Sequence, residues 1–440
     1  MDWISSVVFY HSSSVNRIPM TLIYLHETSG RWWRFFAVAV LLWSLDHVYA
    51  DWPQFMGPNR NGVSTDRVVL AEALPEDGLA QEWSHKLGDG FAGPVVSGER
   101  CLIFHREGDS ARLESLDTKT GKVEWIFDYQ TNYVDQFGFD PGPRSTPTVV
   151  DGRVFIHGVE GVLHAVDLET GRALWKHDLA KDFKSPAGFF GRSTSPLVVG
   201  DKVMVDIGGT YEGKPANLVA FDVKTGDVSW MAGEGEADYG APMLLQAPGD
   251  LLTALFFVRD GFFGVDPGNG EVRFQERFRS RIHASVNAAS PVVVGQRFFL
   301  SSCYDVGAGV WEWGDGKLRS VYKKQEALDC HFNTPVHFEG HLYGFHGRQE
   351  TGQELRCLDL NTGEVKWKAA LPAGSVTIAD GKLLVLTERG ELLVGKASPN
   401  AWEIHYRAQV GGAETRALPA IDGKYFYARD KRKLSCVQLP

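Results

Sequence analysis

The sequence predicts an all-β fold, an eight-bladed β-propeller of four-stranded antiparallel blades closed by pairing of its N- and C-terminal strands. Three observations carry that prediction. The turn motif Leu-x-x-Asp-x-x-Thr-Gly-x-x-x-Trp returns along the chain, a Ser/Thr-Pro dipeptide alternates with it, and the last repeat lacks a tryptophan that the first segment supplies. Short strands repeating every roughly 40–50 residues mark propellers, whose blades ring a channel.

The turn motif reads Leu113 to Trp125 with Asp117 and Gly121, and recurs at Leu163–Trp175, Leu218–Trp230, Phe262–Phe274 and Leu355–Trp367. A weaker copy, Val310–Tyr322, carries Trp313-Gly314-Asp315-Gly316 at its turn. Glycine supplies the positive φ of a tight turn, and Asp and Thr side chains satisfy the turn's backbone donors. The tryptophan after it falls on the outer strand, where an indole buries a large apolar area against the next blade. Most of the aromatic residues are therefore expected in the core.

The second motif places Pro94, Pro147, Pro196, Pro242, Pro291, Pro335 and Pro419 at the head of successive innermost strands, with Val376 in the equivalent place of the seventh repeat. Their spacings lie between 41 and 53 residues. Runs such as Thr148-Val149-Val150, Asp151-Gly152, Arg153-Val154-Phe155-Ile156 read as two strands around a tight turn. The final unit, Leu418–Leu439, has no tryptophan, and Leu79-Ala-Gln-Glu-Trp83 is expected to complete it as an outer strand. Such closure removes the exposed edges that sheet proteins avoid.

Residues 1–50 read as a leader and 51–440 as the propeller domain. Arg31-Trp32-Trp33-Arg34 precedes an apolar run from Phe35 to Trp43, and Val48-Tyr49-Ala50 supplies small residues for cleavage after Ala50. The apolar run, about ten residues, falls short of the roughly twenty that a spanning helix needs. An exported protein, periplasmic or envelope-associated, is expected. The alternatives left open are an uncleaved anchor and a start at Met20 rather than Met1.

A net charge of −10 gives no electrostatic footprint for nucleic acid. The five cysteines, Cys101, Cys303, Cys330, Cys357 and Cys436, form neither a CxxC nor an adjacent pair, so zinc and redox motifs are absent and buried thiols are expected. No HExxH or other metal-spaced cluster occurs, and no Gly-x-Ser-x-Gly surrounds Ser193 or Ser195.

Two groups of residues are candidate binding sites. Just before the prolines, at one rim of the channel, stand Arg144, Arg192, Tyr239, Asn287, His331 and Arg416, with Asn333 beside them. Convergent Arg, Asn and His suit an anionic or carbonyl-bearing ligand through charge-assisted hydrogen bonds. The competing reading is structural: these arginines pair with carboxylates such as Asp135 and Asp140 and lock the blades together. The second group lies on two long insertions, Gln130–Pro143 with Tyr133, Phe137 and Phe139, and Lys181–Arg192 with Phe183, Phe189 and Phe190. Aromatic loops on a rigid scaffold are typical partner-recognition surfaces.

The repeats resemble the pyrroloquinoline-quinone-like (PQQ-like) propeller family across residues 51–440. The opening Asp51-Trp52-Pro53-Gln54-Phe55-x-Gly57-Pro58-x-Arg60-x-Gly62 is similar to that of its exported planctomycete-type members, as are Gly142–Pro147, Ser301–Tyr304 and His331–Pro335. There is a more distant likeness to two groups. One is the propeller subunit of the outer-membrane protein assembly machinery, BamB-like, which implies a non-enzymatic scaffold usually anchored through a lipidated cysteine; no cysteine follows the apolar run here. The other is the quinoprotein alcohol dehydrogenases, which implies a quinone on the channel axis with calcium, an Asp base and a vicinal disulfide; adjacent cysteines are missing here. The expectation is an exported, non-enzymatic binding or scaffolding propeller, monomeric, with no cofactor and with envelope proteins as partners. The alternative is a small PQQ-dependent oxidoreductase or a binder of an anionic small molecule in the channel.

Overall fold

The repeats that carry the Asp-x-x-Thr-Gly motif share one turn geometry between their third and fourth strands. In the first blade Asp117 Oδ1 accepts from the Thr120 amide at 2.8 Å and its hydroxyl at 2.6 Å, and the Gly121 amide closes onto the Asp117 carbonyl at 2.8 Å. The Asp167–Gly171 turn repeats this geometry with a φ of 69° at the glycine. That glycine has a second reason to be there. The indole of Trp125, from the preceding blade, lies so close that a Cβ on Gly171 would stand 2.6 Å from it. Trp125 Nε1 donates to the Leu168 carbonyl of the same turn at 3.0 Å. Trp83, Trp175 and Trp230 make the same contact with the turns at Gly121, Gly226 and Gly270, donating to Thr118, Val223 and Pro267. The motif is thus an inter-blade clasp, with the tryptophan of one blade seated on the Thr-Gly turn of the next. In the divergent fifth repeat Tyr322 takes the tryptophan's place against Gly363.

The computed structural model describes residues 51–440 apart from Pro248 and Asp250, and the leader, its cleavage site and the choice of start lie outside the described residues. Eight four-stranded antiparallel sheets form the blades. Blade 1 runs from its innermost strand Val95–Ser97 through Arg100–Glu107 and Ser110–Asp117 to the outer Val123–Gln130, and blades 2 to 7 follow in the same order. Blade 8 has Ala420–Asp422, Tyr425–Arg429 and Lys433–Gln438 from the C-terminus, and Ala80–Lys86 from the N-terminal side as its outer strand. The expected closure is therefore present, with Trp83 on the closing strand. The apolar core lies between blades: Phe104 and Leu113 of blade 1 pack with Val154 and Ile156 of blade 2, for example. Among the described residues no helix is long and apolar enough to cross a membrane, and all five cysteines are buried and unpaired.

Sequence reading gave the segment before the first strand no structural role. Trp52 bridges Val96 of blade 1, Pro53 accepts from Val149 of blade 2, and Arg60 reaches the carbonyls before the innermost strand of blade 3. Gly62 then meets Val336 of blade 6 and Val63 pairs with Ile378 of blade 7. A segment touching innermost strands on opposite sides of the ring must cross the channel. Arg60, buried, donates to Pro196 O at 3.0 Å, Ser195 O at 3.3 Å and Gln54 Oε1 at 3.1 Å, and burial lowers its pKa to about 9.

Candidate binding surface

The rim where the innermost strands begin is marked by proline in seven of the eight blades, preceded by Ser or Thr in blades 2, 3, 5 and 6. Proline has no amide to offer and holds the preceding residue extended, so the residue before it turns its own amide to the neighbouring blade. Gly93 N donates to Thr146 Oγ1 at 3.3 Å, Thr146 N to Ser195 Oγ at 2.9 Å, Ala241 N to Ser290 Oγ and Ser290 N to Thr334 Oγ1, both at 2.8 Å. Each donor and acceptor is the residue before a blade's proline. The hydroxyl is therefore a latch between blades.

Most of the rim candidates are engaged in the same way. Arg144 donates to Asp135 Oδ2 at 2.6 Å and to the Asp140 carbonyl at 2.9 Å, which fastens the first insertion to the rim. This is the structural pairing the sequence offered as the competing reading. Arg192 is buried and donates to Ser185 and to the Glu160 carbonyl, with burial lowering its pKa. Asn287 and Asn333 are buried, and their amides donate to the carbonyls of Val258 and Gly374. Tyr239 Oη accepts from the amides of Phe189 and Phe190 at 2.8 and 2.9 Å. His331 and Arg416 remain half-buried on the other side of the ring. His331 Nε2 is 2.9 Å from Tyr304 Oη, and the Arg416 guanidinium lies over the Phe91 ring. Burial lowers the His331 pKa. Tyr304 has a φ of 64°, uncommon for a bulky residue, and carries Arg348 over its ring at 4.8 Å.

Sequence reading missed a pair of acids in this ring. Asp206 and Asp238 are buried between blades 3 and 4. Thr194 Oγ1 donates to Asp206 Oδ1, the Asp238 amide to Asp206 Oδ2 at 3.0 Å, and the Asn287 amide to Asp238 Oδ2 at 2.7 Å. Burial raises the Asp206 pKa from 3.8 to about 6 and that of Asp238 in the same direction. The folded state then holds a proton more tightly than the unfolded chain. The stability this contributes is fully present below about pH 4 and is lost as the pH rises through about 6, an effect of about 3 kcal/mol. Asp206→Asn keeps an acceptor for the Asp238 amide and offers Thr194 an N–H. Urea midpoints at pH 4.5 and 8 are expected to differ less in this variant than in the wild type, and equal differences would refute the assignment.

The two insertions converge. Phe137 and Phe139 from the first meet Phe189 and Phe190 from the second, with ring centroids 5.3 Å apart for Phe137–Phe190 and 5.9 Å for Phe139–Phe190. Phe190 in turn packs on Tyr239, and Arg259 lies 5.2 Å over the Phe189 ring. Phe137 and Phe139 are each 54% exposed, and Val134 and Ile282 are exposed as well. Tyr133 is half-buried beside Gly191. Phe183 does not belong to this surface. The one-turn helix Leu179–Asp182 folds back on blade 3 and drives Phe183 into the core, fully buried against Tyr211 and Phe221.

A calcium-held quinone does not fit the donors present. Among the described residues no three His, Cys, Asp or Glu side chains gather to hold a metal ion. The rim carboxylate Asp135 is paired with Arg144, Asp206 and Asp238 are hydrogen-bonded within the ring, and no two cysteines are adjacent.

Comparison with known proteins agrees with this architecture. BamB of Moraxella catarrhalis superposes with a TM-score of 0.61 at 16% identity, over 82% of this chain and 99% of that one. The quinohemoprotein alcohol dehydrogenase of Comamonas testosteroni gives 0.61 at 13% identity, over 89% and 80%. In sequence, the quinohemoprotein alcohol dehydrogenase ADH-IIG of Pseudomonas putida is 30% identical over 34% of this chain and 21% of its own length. The outer membrane protein assembly factor BamB of Moranella endobia is 21% identical over 60% of this chain and 66% of its own. The chain thus spans only about a fifth to a quarter of the dehydrogenases it matches in sequence. The family model described as outer membrane protein assembly factor BamB matches residues 65–243 and 109–369, and the chain belongs to that family of PQQ-like repeat propellers.

Proposed function

We propose that the protein is an exported, non-enzymatic binding propeller of the cell envelope that holds a partner protein on its aromatic surface. The observation that carries this reading is the patch of Phe137, Phe139, Phe189 and Phe190, which two separate insertions build on one face of a rigid ring. Half-exposed aromatic clusters on a stiff scaffold supply large contact area at little entropic cost. Family membership supports it. The engaged rim side chains, and the lack of a gathered set of metal donors among the described residues, weigh against chemistry on the axis.

A photoreactive phenylalanine analogue at position 139 is expected to yield a discrete cross-linked protein in the envelope fraction of producing cells. The same analogue at Lys224, in a turn at the opposite end of the blades, is expected to yield none. Phe137→Ser in the first background should lower the yield at least tenfold while leaving stability within about 0.5 kcal/mol, as for exposed positions generally. Equal yields at both positions would overturn the proposal. The second reading, a small quinoprotein-like oxidoreductase, is favoured by the dehydrogenase relatives. Stoichiometric heat on titrating the protein with PQQ and calcium would put that reading first.

A further inference from the structure

The seam that closes the ring carries a charge arrangement that nothing in the proposed function uses. In blade 8 the strand Ala80–Lys86 pairs with Lys433–Gln438, and the register sets Lys86 directly opposite Lys433. Side chains at opposed positions share one face of the sheet, and like charges there repel. Arg432 precedes Lys433 in the turn, and its carbonyl accepts from Leu87 N at 2.7 Å, which holds this turn against the end of the closing strand.

These cations, with Lys431, line an open concavity of about 670 Å³ between blade 8 and the connection at Gly412–Glu414. The two carboxylates in its lining are already engaged. Glu414 is held by Lys431 at 3.0 Å. Asp430 is buried and accepts from the amides of Gly412, Arg432 and Lys433 at 2.7, 2.8 and 2.9 Å. Lys86, Arg432 and Lys433 are left with no ion pair among the described residues. Several strand cations in other blades do find partners: Lys323 pairs with Glu276 at 2.5 Å, Arg297 with Glu312 and Arg112 with Asp128 at 2.8 Å. A protein of net charge −10 has carboxylates in excess, yet only Glu414 and Asp430, both engaged, line this site.

We propose that this concavity is a binding site for a multiply charged phosphate group, carried either by a lipid headgroup or by a soluble phosphate ester. The opposed Lys86 and Lys433 supply the charge, Arg432 supplies a planar fork that bonds two phosphate oxygens at once, and the bound anion removes the repulsion across the seam.

The test is titration of the purified protein with inorganic pyrophosphate at constant ionic strength, read by calorimetry and by melting temperature. Saturable binding with a rise in melting temperature is expected. Lys433→Gln should weaken binding at least tenfold while its own melting temperature holds or rises, because one of two opposed charges has gone. Arg432→Gln, at an exposed turn position, should weaken binding similarly and provides a second variant should Lys433→Gln fold poorly. Lys323→Gln, outside the site, should leave binding unchanged. Flotation with vesicles of phosphatidylcholine, with and without phosphatidic acid, separates the two sources. Recovery that depends on phosphatidic acid and is lost in both site variants assigns a lipid headgroup, and pyrophosphate binding without flotation assigns a soluble ester. Pyrophosphate binding that is absent, or unchanged in Lys433→Gln and Arg432→Gln, overturns the proposal.

Discussion

Trp230→Ala is expected to lower stability by roughly 3–5 kcal/mol, the range for removing a buried large aromatic side chain. The indole is 7% exposed and packs among Leu197, Met204, Phe256 and Val265, so it joins blade 3 to blade 4 through apolar area. It also donates to the Pro267 carbonyl at 2.9 Å and covers Gly270 at a distance no side chain on that glycine would permit. Alanine removes the area, the hydrogen bond and the lid of the turn together. The measurement is the denaturant midpoint with the slope held equal, and a loss below about 1 kcal/mol would show that the clasp is not a principal inter-blade contact. Trp175, half-buried in the equivalent place, should lose less than Trp230.

Arg429→Ala is expected to cost a similar amount, about 3–5 kcal/mol, by a different route. Arg429 lies on the second strand of blade 8 and is 1% exposed. It donates to Ala92 O and Phe104 O at 2.9 Å and to Gly88 O at 3.2 Å, all belonging to the N-terminal side of the seam. Burial lowers its pKa to about 10, while Asp140, Asp89 and Asp430 favour the charge. Truncation leaves buried carbonyls without a donor and a cavity at the point where the ring closes. Alongside the lower midpoint, limited proteolysis should cut more quickly in the segment leading to Ala80–Lys86. A variant with unchanged midpoint and unchanged proteolysis would mean that strand pairing alone closes the propeller.

The sequence by itself determined the number of blades, their turns and the closure. Those properties rest on local spacing: an Asp, a Thr and a Gly within five residues build the turn, and the tryptophan four residues on reaches the next blade in every such repeat. The alternation with Ser/Thr-Pro was legible for the same reason, although its role as a latch became clear only when Thr146 N met Ser195 Oγ.

Tertiary structure decided which polar and aromatic residues face outward. Arg192, Asn287 and Asn333 looked available in the sequence because partners such as the Glu160, Val258 and Gly374 carbonyls lie in other parts of the chain, whereas Arg144 takes the nearby Asp135 that the sequence offered as a structural partner. Phe183 and Phe189 share one insertion, and only the backward turn of a four-residue helix sends the first into the core and leaves the second on the surface. The crossing of the channel by residues 51–63 and the opposition of Lys86 to Lys433 likewise depend on contacts between distant parts of the chain. Periodicity records how each blade is made. Engagement and exposure depend on how the loops between blades meet, and no local pattern encodes that.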